Sequence, residues 1–162
     1  MRIGIGYDIH RIEAVESVGS LLLGGVAIPC PFKVVAHSDG DVILHSLTDA
    51  ILGSLALGDI GQWFSDKDPK NKGRSSLEFL AIALAEARKL GWHVAQVDIN
   101  VFAEAPKISP HCEKIRTKLS QALELEMNSV SLKAKTMEGL GAIGEKKAIA
   151  AQALISLREA KT

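Results

Sequence analysis

An acidic residue and a histidine, Asp8 and His10, stand two positions apart near the amino terminus. Residues Arg2–Arg11 alternate between apolar and other side chains, which predicts a strand, so Asp8 and His10 should point to the same side of it. A carboxylate beside an imidazole supplies half of a zinc or iron site. The alternative interpretation is a salt bridge between the two side chains at a strand end.

His45 is the candidate for the third ligand that this pair lacks. It lies one turn after Asp41 and one turn before Asp49 in a predicted helix over Asp41–Leu57, which Gly58 should end. Two imidazoles and one carboxylate leave the fourth tetrahedral position of zinc open. Asp41 or Asp49 could hold the second ring nitrogen of His45. The other interpretation is a packed or surface histidine without a ligand role.

The loop before this helix, Ala36-His37-Ser38-Asp39-Gly40-Asp41, contains one imidazole, one hydroxyl and two carboxylates. Asp39 or Asp41 suits the N-cap of the helix, because a carboxylate is favoured at that end of the helix dipole. Acidic residues argue against a bare phosphate site here, but a bound dication would reverse that argument.

Three more stretches carry groups that suit a phosphorylated ligand. Gly58–Gly61 with Phe64–Pro69 is either a solvated turn or a clamp for a polyol. The lysine of Ala105-Pro106-Lys107 is either solvated or placed to meet an anion at a helix N-terminus. Lys133–Gly141 leaves a strand for a glycine-rich turn, where Lys and Thr suit phosphate oxygens and Glu suits Mg²⁺. It is not a Walker loop or a dinucleotide motif.

These residues must be positioned by strands and helices. The spacing of apolar residues along the sequence switches between periods of two and 3.6, which predicts a mixed α/β (α+β) single domain. Ala148–Arg158 is ambiguous, because its alanines favour a helix and its alternation favours a strand. A long irregular loop is expected over Asp59–Arg74. The other expected strands and hairpin segments are Arg2–Arg11, Leu21–Leu23, Val26–Ile28, Val94–Glu104 and Val130–Thr136.

Local signals place the remaining element ends. Pro29 and Pro31 are expected to end the hairpin. The capping box Ser75-x-x-Glu78 predicts the start of a second helix, which Gly91 closes. Ser109-Pro110 predicts the start of a third helix, because proline is tolerated at the first helical position.

Composition narrows the class of protein that carries these motifs. The 162 residues include 19 Lys and Arg against 19 Asp and Glu, a balance that argues against a nucleic-acid-binding protein and against a disordered chain. Aromatic residues make up 4%, too few for a surface that stacks single-stranded nucleic acid. Cys30 and Cys112 fit a reducing compartment. No apolar run reaches the roughly 18 residues of a membrane span, and no signal-peptide pattern is present.

The motifs occur in a fixed order along nearly the whole chain. In the order Gly6–His10, Ala36–Asp41, Leu57–Gly61, Asp66–Pro69, Ala105–Lys107 and Lys135–Gly141, the chain resembles the 2-C-methyl-D-erythritol 2,4-cyclodiphosphate synthase family of the non-mevalonate isoprenoid pathway. The resemblance implies one domain over residues 1–162, with a mixed β-sheet and helices packed on one side. It implies a homotrimer with active sites between neighbouring subunits. It also implies that the ambiguous carboxyl-terminal segment is a strand.

The resemblance assigns roles motif by motif. It implies Zn²⁺ or another dication, one per subunit, on Asp8, His10 and His45, and Mg²⁺ or Mn²⁺ with the diphosphate on Glu138. His37 and Ser38 are implied to lie in a mobile loop over the methylerythritol phosphate. The residues implied in catalysis are Asp8, His10, His45, His37, Asp66, Thr136 and Glu138. The residues implied in substrate binding are His37, Ser38, Asp59, Ile60, Gly61, Asp66, Ala103, Pro106, Lys107, Ile108, Lys135 and Thr136.

The implied enzyme is a phosphorus–oxygen lyase with a small-molecule nucleotide substrate. In it, the 2-phosphate of 4-diphosphocytidyl-2-C-methyl-D-erythritol 2-phosphate attacks the β-phosphorus, which closes the 2,4-cyclodiphosphate and releases CMP. That nucleophile is already an anion at neutral pH, so no general base and no Ser or Cys nucleophile is expected. Metal ions would offset the repulsion between the phosphates. The expected location is the bacterial cytoplasm, with the plastid stroma as the alternative.

Two positions depart from many family members, which carry an aromatic residue and an Arg where Ala142 and Glu145 stand. The aromatic residue helps line a cavity on the trimer axis, so the departure argues against an isoprenoid-like ligand there. Lys135 also replaces a common Thr. Two alternatives stay open: a zinc phosphoesterase in which water attacks, and a non-catalytic trimeric binding protein with structural zinc. Structural zinc normally has four protein ligands, and the sequence offers three.

Overall fold

The computed structural model describes residues 1–65 and 67–160. The strands are β1 (Arg2–Leu23), β2 (Val26–Val35), β3 (Trp92–Phe102), β4 (Val130–Lys135) and β5 (Ala148–Glu159). The helices are α1 (Val42–Ser54), α2 (Ile60–Trp63), α3 (Ser76–Lys89), α4 (Cys112–Leu123) and α5 (Gly141–Gly144). Short 3₁₀ turns occupy Pro69–Asn71, Ser109–His111 and Met127–Ser129. Among the described helices, none has both the length and the apolar character that crossing a membrane requires.

The strands form one mixed sheet in the order β2-β1-β5-β3-β4. β1 is antiparallel to β2 and to β5, β5 is antiparallel to β3, and β3 and β4 are parallel. The carboxyl-terminal segment forms β5, so the prediction of a strand is confirmed. β5 lies in the middle of the sheet and is mostly buried, and this packing outweighs the helical preference of its alanines.

β1 is about twice as long as the alternation predicts. It continues past Arg11 to the hairpin turn, with a register shift between Ala14 and Gly19. Residues 13–20 are mostly exposed, so this stretch lacks the apolar alternation by which a half-buried strand is recognised. The predicted hairpin is confirmed. Its turn residues, Gly24 and Gly25, have φ angles of 60° and 75°, as a two-residue turn between twisted strands requires.

β2 passes through Pro29 and Pro31, so the prediction that these residues end the hairpin was wrong. β2 lies at the edge of the sheet and pairs with β1 alone. Proline is tolerated on an edge strand because one side of such a strand needs no ladder hydrogen bonds. The two prolines therefore mark an edge rather than an end.

Helix α1 is almost entirely buried, with eleven of its 13 residues inside the protein. The carboxylate of Asp41 caps it by accepting hydrogen bonds of 3.1 Å from two backbone N–H groups of the first turn. The helix ends at Ser54 rather than at the predicted Leu57. The chain leaves the helix at Ala56, which has a φ of 57°, ahead of the expected Gly58.

The core lies between one face of the sheet and the three long helices α1, α3 and α4, so these helices share one side as predicted. α3 ends as predicted, with Gly91 in a left-handed conformation just after the C-cap. α5 lies apart from this core, where Ile143 packs against Ala148 and Ala150. The stretch Asp59–Arg74, expected to be irregular, contains α2 and a 3₁₀ turn.

Candidate active site

Asp8 and His10 project from one face of β1, and α1 crosses that face with His45 on it. The crossing is close: a Cβ atom added to Gly6 would lie 2.0 Å from the carbonyl oxygen of Ser46. Cβ atoms do not approach a carbonyl oxygen so closely, so glycine is needed at the point of contact. The small residue on the strand therefore brings His45 within reach of Asp8 and His10.

Three ligand atoms meet at this crossing. Oδ2 of Asp8 lies 3.0 Å from Nε2 of His10 and 3.0 Å from Nδ1 of His45. The two ring nitrogens are 3.1 Å apart. Tetrahedral zinc with bonds of about 2.0–2.1 Å would hold its ligand atoms roughly 3.3 Å apart. The triangle therefore has nearly the size that the ion requires, and its donors are of the types found in catalytic zinc sites.

The electrostatics of the site keep Asp8 ionised. Burial acts against ionisation, but hydrogen bonds with His10 and His45 and the charges of both rings hold the pKa of Asp8 well below its ordinary value. Asp49 differs, because burial and the charges of Asp59 and Asp8 raise its pKa. At neutral pH, Asp8 therefore meets the requirement that a metal-binding carboxylate be deprotonated.

The prediction that Asp41 or Asp49 holds the second ring nitrogen of His45 was wrong. That nitrogen, Nε2, lies 2.8 Å from Oγ of Ser76 and 3.2 Å from Oγ of Ser38. Asp41 instead accepts four backbone hydrogen bonds, two from the β1–β2 turn and two from α1. The carboxylate of Asp49 accepts a hydrogen bond of 3.1 Å from the first N–H group of α2.

Asp39 caps α3 and not α1. Its carboxylate accepts a hydrogen bond of 2.9 Å from the backbone N–H of Ser76 and a second one from the hydroxyl of the same residue. The side chain of Ser75 makes no capping hydrogen bond, and Glu78 pairs with Arg74, so the predicted capping box does not form. The loop before α1 is thereby fixed to the start of a helix far along the sequence.

A cavity of about 320 Å³ opens beside the three ligand atoms. Of the residues predicted to bind substrate, His37, Ser38, Ile60 and Gly61 line this cavity. Asp59 is exposed beside it and caps α2. Asp66, predicted to act on the polyol, lies outside the described residues.

Among the further residues of the cavity wall, Asn71 and Phe79 were missed in the sequence, whereas Phe64 was predicted only as part of the stretch Phe64–Pro69 that could clamp a polyol. Phe64 and Phe79 stack with their ring centroids 4.3 Å apart, and Asn71 lies beside them. Phe79 follows Ser76 by one turn of α3, so its helical spacing was a usable signal. Phe64 and Asn71 lie in the loop region, where no periodicity indicates which side chains turn inward.

The residues predicted to bind cytidine and diphosphate gather at another place, where β3 and β4 end side by side. The N–H of Ala103 donates to the carbonyl oxygen of Lys135 at 2.9 Å, and the hydroxyl of Thr136 donates to Glu138 at 2.8 Å. Of this group, Ala103 and Ile108 are buried, Pro106 is half-buried, and Lys107, Lys135, Thr136 and Glu138 are exposed. None of these residues lines the cavity at Asp8. Within one chain, the structure therefore keeps the two groups apart.

The sequence closely matches proteins of known name. A 2-C-methyl-D-erythritol 2,4-cyclodiphosphate synthase of Azotobacter vinelandii is 46% identical over 157 residues, which are 97% of this chain and 98% of the relative. The protein of the same name from Solibacter usitatus is 43% identical over 159 residues, or 98% of each chain.

Solved structures give the same answer for the fold. An IspF of Plasmodium falciparum in complex with CDP has a TM-score of 0.86 at 44% identity, and the match covers 99% of this chain and 97% of that one. The bifunctional IspDF of Campylobacter jejuni has a TM-score of 0.90 at 38% identity; the match covers 98% of this chain and 42% of that longer one. The sequence model of the YgbB family matches residues 1–158, and the chain belongs to this family.

Proposed function

We propose that the chain converts 4-diphosphocytidyl-2-C-methyl-D-erythritol 2-phosphate to 2-C-methyl-D-erythritol 2,4-cyclodiphosphate and CMP, as a phosphorus–oxygen lyase of the non-mevalonate isoprenoid pathway. The triangle of ligand atoms on Asp8, His10 and His45, open to a cavity, is the observation that carries the proposal. Identities of 43–46% with relatives named for this product support it.

The chemistry needs charge compensation more than proton transfer. The attacking 2-phosphate is already an anion at neutral pH, so no base has to activate it. A dication held by Asp8, His10 and His45 supplies positive charge to phosphoryl oxygens when bound. Both hydroxyl groups next to His45 are engaged, because Ser76 bonds to Asp39 and Ser38 accepts from the N–H of Gly40.

The rest of the cavity suits a polyol phosphate. His37 is exposed at the mouth of the cavity and can reach an anionic group there. Gly61 lies in the first turn of α2 and offers its backbone N–H group to hydroxyl or phosphate oxygens, whereas the N–H of Ile60 donates to Asp49. The stacked rings of Phe64 and Phe79 form an apolar wall. Binding both ends of the substrate would supply the proximity that ring closure needs.

We propose that the cytidine side of each active site comes from a neighbouring subunit. Asp8 lies on β1, whereas Lys135 and Thr136 lie on and just after β4, three strand spacings away. At about 4.8 Å between strands, this is roughly 14 Å. Lys107, in the segment that follows β3, is also exposed. A second copy of the chain could bring these residues to the cavity, together with Mg²⁺ or Mn²⁺ bound by Glu138.

An exposed apolar face supports assembly into a homotrimer. Ile3, Ile5 and Tyr7 are 60%, 61% and 52% exposed on the outer side of β1, and Leu154 on the neighbouring β5 is 47% exposed. Contiguous apolar surface of this kind marks contact sites between proteins.

The curated relatives named above come from bacteria, and we propose the bacterial cytoplasm as the location.

Phosphorus NMR on the reaction mixture tests the proposal. With Zn²⁺ and Mg²⁺ present, the purified protein should convert the substrate to a cyclic diphosphate and CMP in equal amounts. Release of inorganic phosphate instead would favour a phosphoesterase, and an unchanged spectrum would favour a binding protein. Light scattering on the same sample should give three times the mass of one chain.

A further inference from the structure

A chain of hydrogen bonds lies behind His45, on the side away from Asp8. Nε2 of His45 is 2.8 Å from Oγ of Ser76, and that hydroxyl is bonded to Asp39. The second carboxylate oxygen of Asp39 accepts from the backbone N–H of Ser76 at 2.9 Å. Ser76 is 0% exposed and His45 is 7% exposed, so water does not compete freely for these bonds.

When Asp39 is ionised, the hydrogen bonds that link Asp39, Ser76 and His45 allow only one arrangement of donors and acceptors. The carboxylate of Asp39 can only accept, so the hydroxyl of Ser76 must donate to it. The oxygen of Ser76 is then left to accept, and Nε2 of His45 must carry the proton that is donated. In the neutral imidazole that a metal ligand must be, the lone pair is then on Nδ1, the nitrogen on the side of Asp8 and His10.

Ser38 is a weaker second partner of the same nitrogen. Its Oγ lies 3.2 Å from Nε2 of His45 and also accepts from the N–H of Gly40 at 3.3 Å. Ser38 lines the cavity, so substrate or water can take over its hydrogen bonds. Ser76 faces no such competition, because it is fully buried.

We propose that Ser76 and Asp39 are positioning residues that hold His45 in the tautomer and orientation required of a metal ligand. The inference rests on the proposed metal site, which it deepens by naming what orients one ligand. Removing the hydrogen-bond partner of a metal-binding histidine typically lowers metal affinity or activity by about 10–100-fold.

The substitution Ser76→Ala separates this role from a structural one. Asp39 also caps α3 through the backbone N–H of Ser76, and alanine retains that group. The neighbouring Ser75→Ala is a matched control, because it removes a hydroxyl at the same helix start whose side chain makes no capping hydrogen bond. A difference between the two variants therefore reports on the link to His45.

The zinc dissociation constant of metal-free protein, measured by competition with a chelator, is the first readout. Ser76→Ala should raise it by about 10–100-fold and should lower kcat more than it changes KM. Ser75→Ala should leave both unchanged. Equal zinc affinity in wild type and Ser76→Ala would overturn this inference but not the proposed metal site. Wild-type protein that binds no zinc would overturn the proposed metal site, and the inference with it.

Nitrogen-15 NMR of the zinc-loaded wild type is a second readout that needs no variant to fold. Nε2 of His45 should carry a proton that exchanges slowly with water, and Nδ1 should show the shift of a metal-bound nitrogen. A metal-bound Nε2, or an Nε2 proton that exchanges as freely as that of a surface histidine, would contradict the proposal.

Discussion

Gly6 on β1 lies so close to Ser46 on α1 that an added Cβ atom would be 2.0 Å from the carbonyl oxygen of Ser46. Asp8 follows Gly6 by two residues on the same face of the strand, and His45 precedes Ser46. The distance between strand and helix at this point therefore determines whether His45 can share an ion with Asp8. Stability and metal binding should respond together when the contact is changed.

Gly6→Ala should lower the free energy of unfolding by about 1–3 kcal/mol or more, because the methyl group forces the helix away from the strand. Zinc affinity should fall with it. Gly53→Ala is the matched control: Gly53 lies on α1, and a Cβ there meets nothing within 4 Å. That variant should be unchanged or more stable by up to about 1 kcal/mol. Urea unfolding of both measures the difference, and equal stabilities would contradict the close contact.

Asp41→Ala should destabilise the protein strongly, by about 2–4 kcal/mol, because it removes a helix cap and leaves buried N–H groups without a partner. The carboxylate is 0% exposed and accepts hydrogen bonds of 2.7–3.1 Å from Gly24, Gly25 and the start of α1. Asp59→Ala removes an exposed cap of α2 and should cost about 1 kcal/mol or less. Thermal melts of both variants compare them, and a smaller loss for Asp41→Ala would be the contrary result.

Lys133→Met should raise the pKa of Asp98. Nζ of Lys133 lies 2.6 Å from Oδ2 of Asp98, and this hydrogen bond is the main cause of the lowered pKa of Asp98. Because folding lowers the pKa of Asp98, its ionised carboxylate stabilises the protein at pH values above the ordinary pKa of 3.8. This stabilisation is lost as the pH falls through the pKa of the folded state. Both side chains are 42% exposed, so the gain stays below about 1 kcal/mol. Carbon-13 NMR titration of the carboxyl group tests this, and an unchanged midpoint would rule out the assigned cause.

Glu138→Ala should raise the Mg²⁺ concentration needed for CMP release by about tenfold or more, because a charged ligand group worth roughly 1.5–3 kcal/mol is lost. Zinc content should stay the same, since Glu138 lies near the end of β4 and outside the cavity at Asp8. Glu145→Ala is the control, because Glu145 is also exposed and pairs with Lys147. The role of Glu138 would be disproved by superimposable Mg²⁺ titrations of the wild type and Glu138→Ala.

Local patterns in the sequence indicated the candidate ligand residues, and the family resemblance assigned them together as one ligand set. Alternation over the first residues placed Asp8 and His10 on one face of a strand, and helical spacing placed His45 on the next long helix. The same alternation, together with the family resemblance, resolved the carboxyl-terminal segment as a strand against its alanine content. These signals are short-range and repeat with the period of the element.

The partners of His45 could not be predicted in this way. Ser76 meets His45 only because α3 packs against α1, and Asp39 meets Ser76 from 37 residues away. A capping box at Ser75 and Glu78 and a cap supplied by a distant carboxylate leave the same local pattern. The length of β1 and the path of β2 through its prolines depend likewise on neighbours in the sheet, which local sequence does not contain.

Anomalous X-ray diffraction at the zinc absorption edge, on zinc-soaked crystals, tests the central claim most directly. For each chain we expect one peak bonded to Oδ2 of Asp8, Nε2 of His10 and Nδ1 of His45. His45→Ala should lose that peak. Its rate of CMP release should fall by more than the roughly 10–100-fold that is typical of removing an outer hydrogen-bond partner. A peak elsewhere in the wild type, or a peak and full turnover retained in His45→Ala, would contradict the claim.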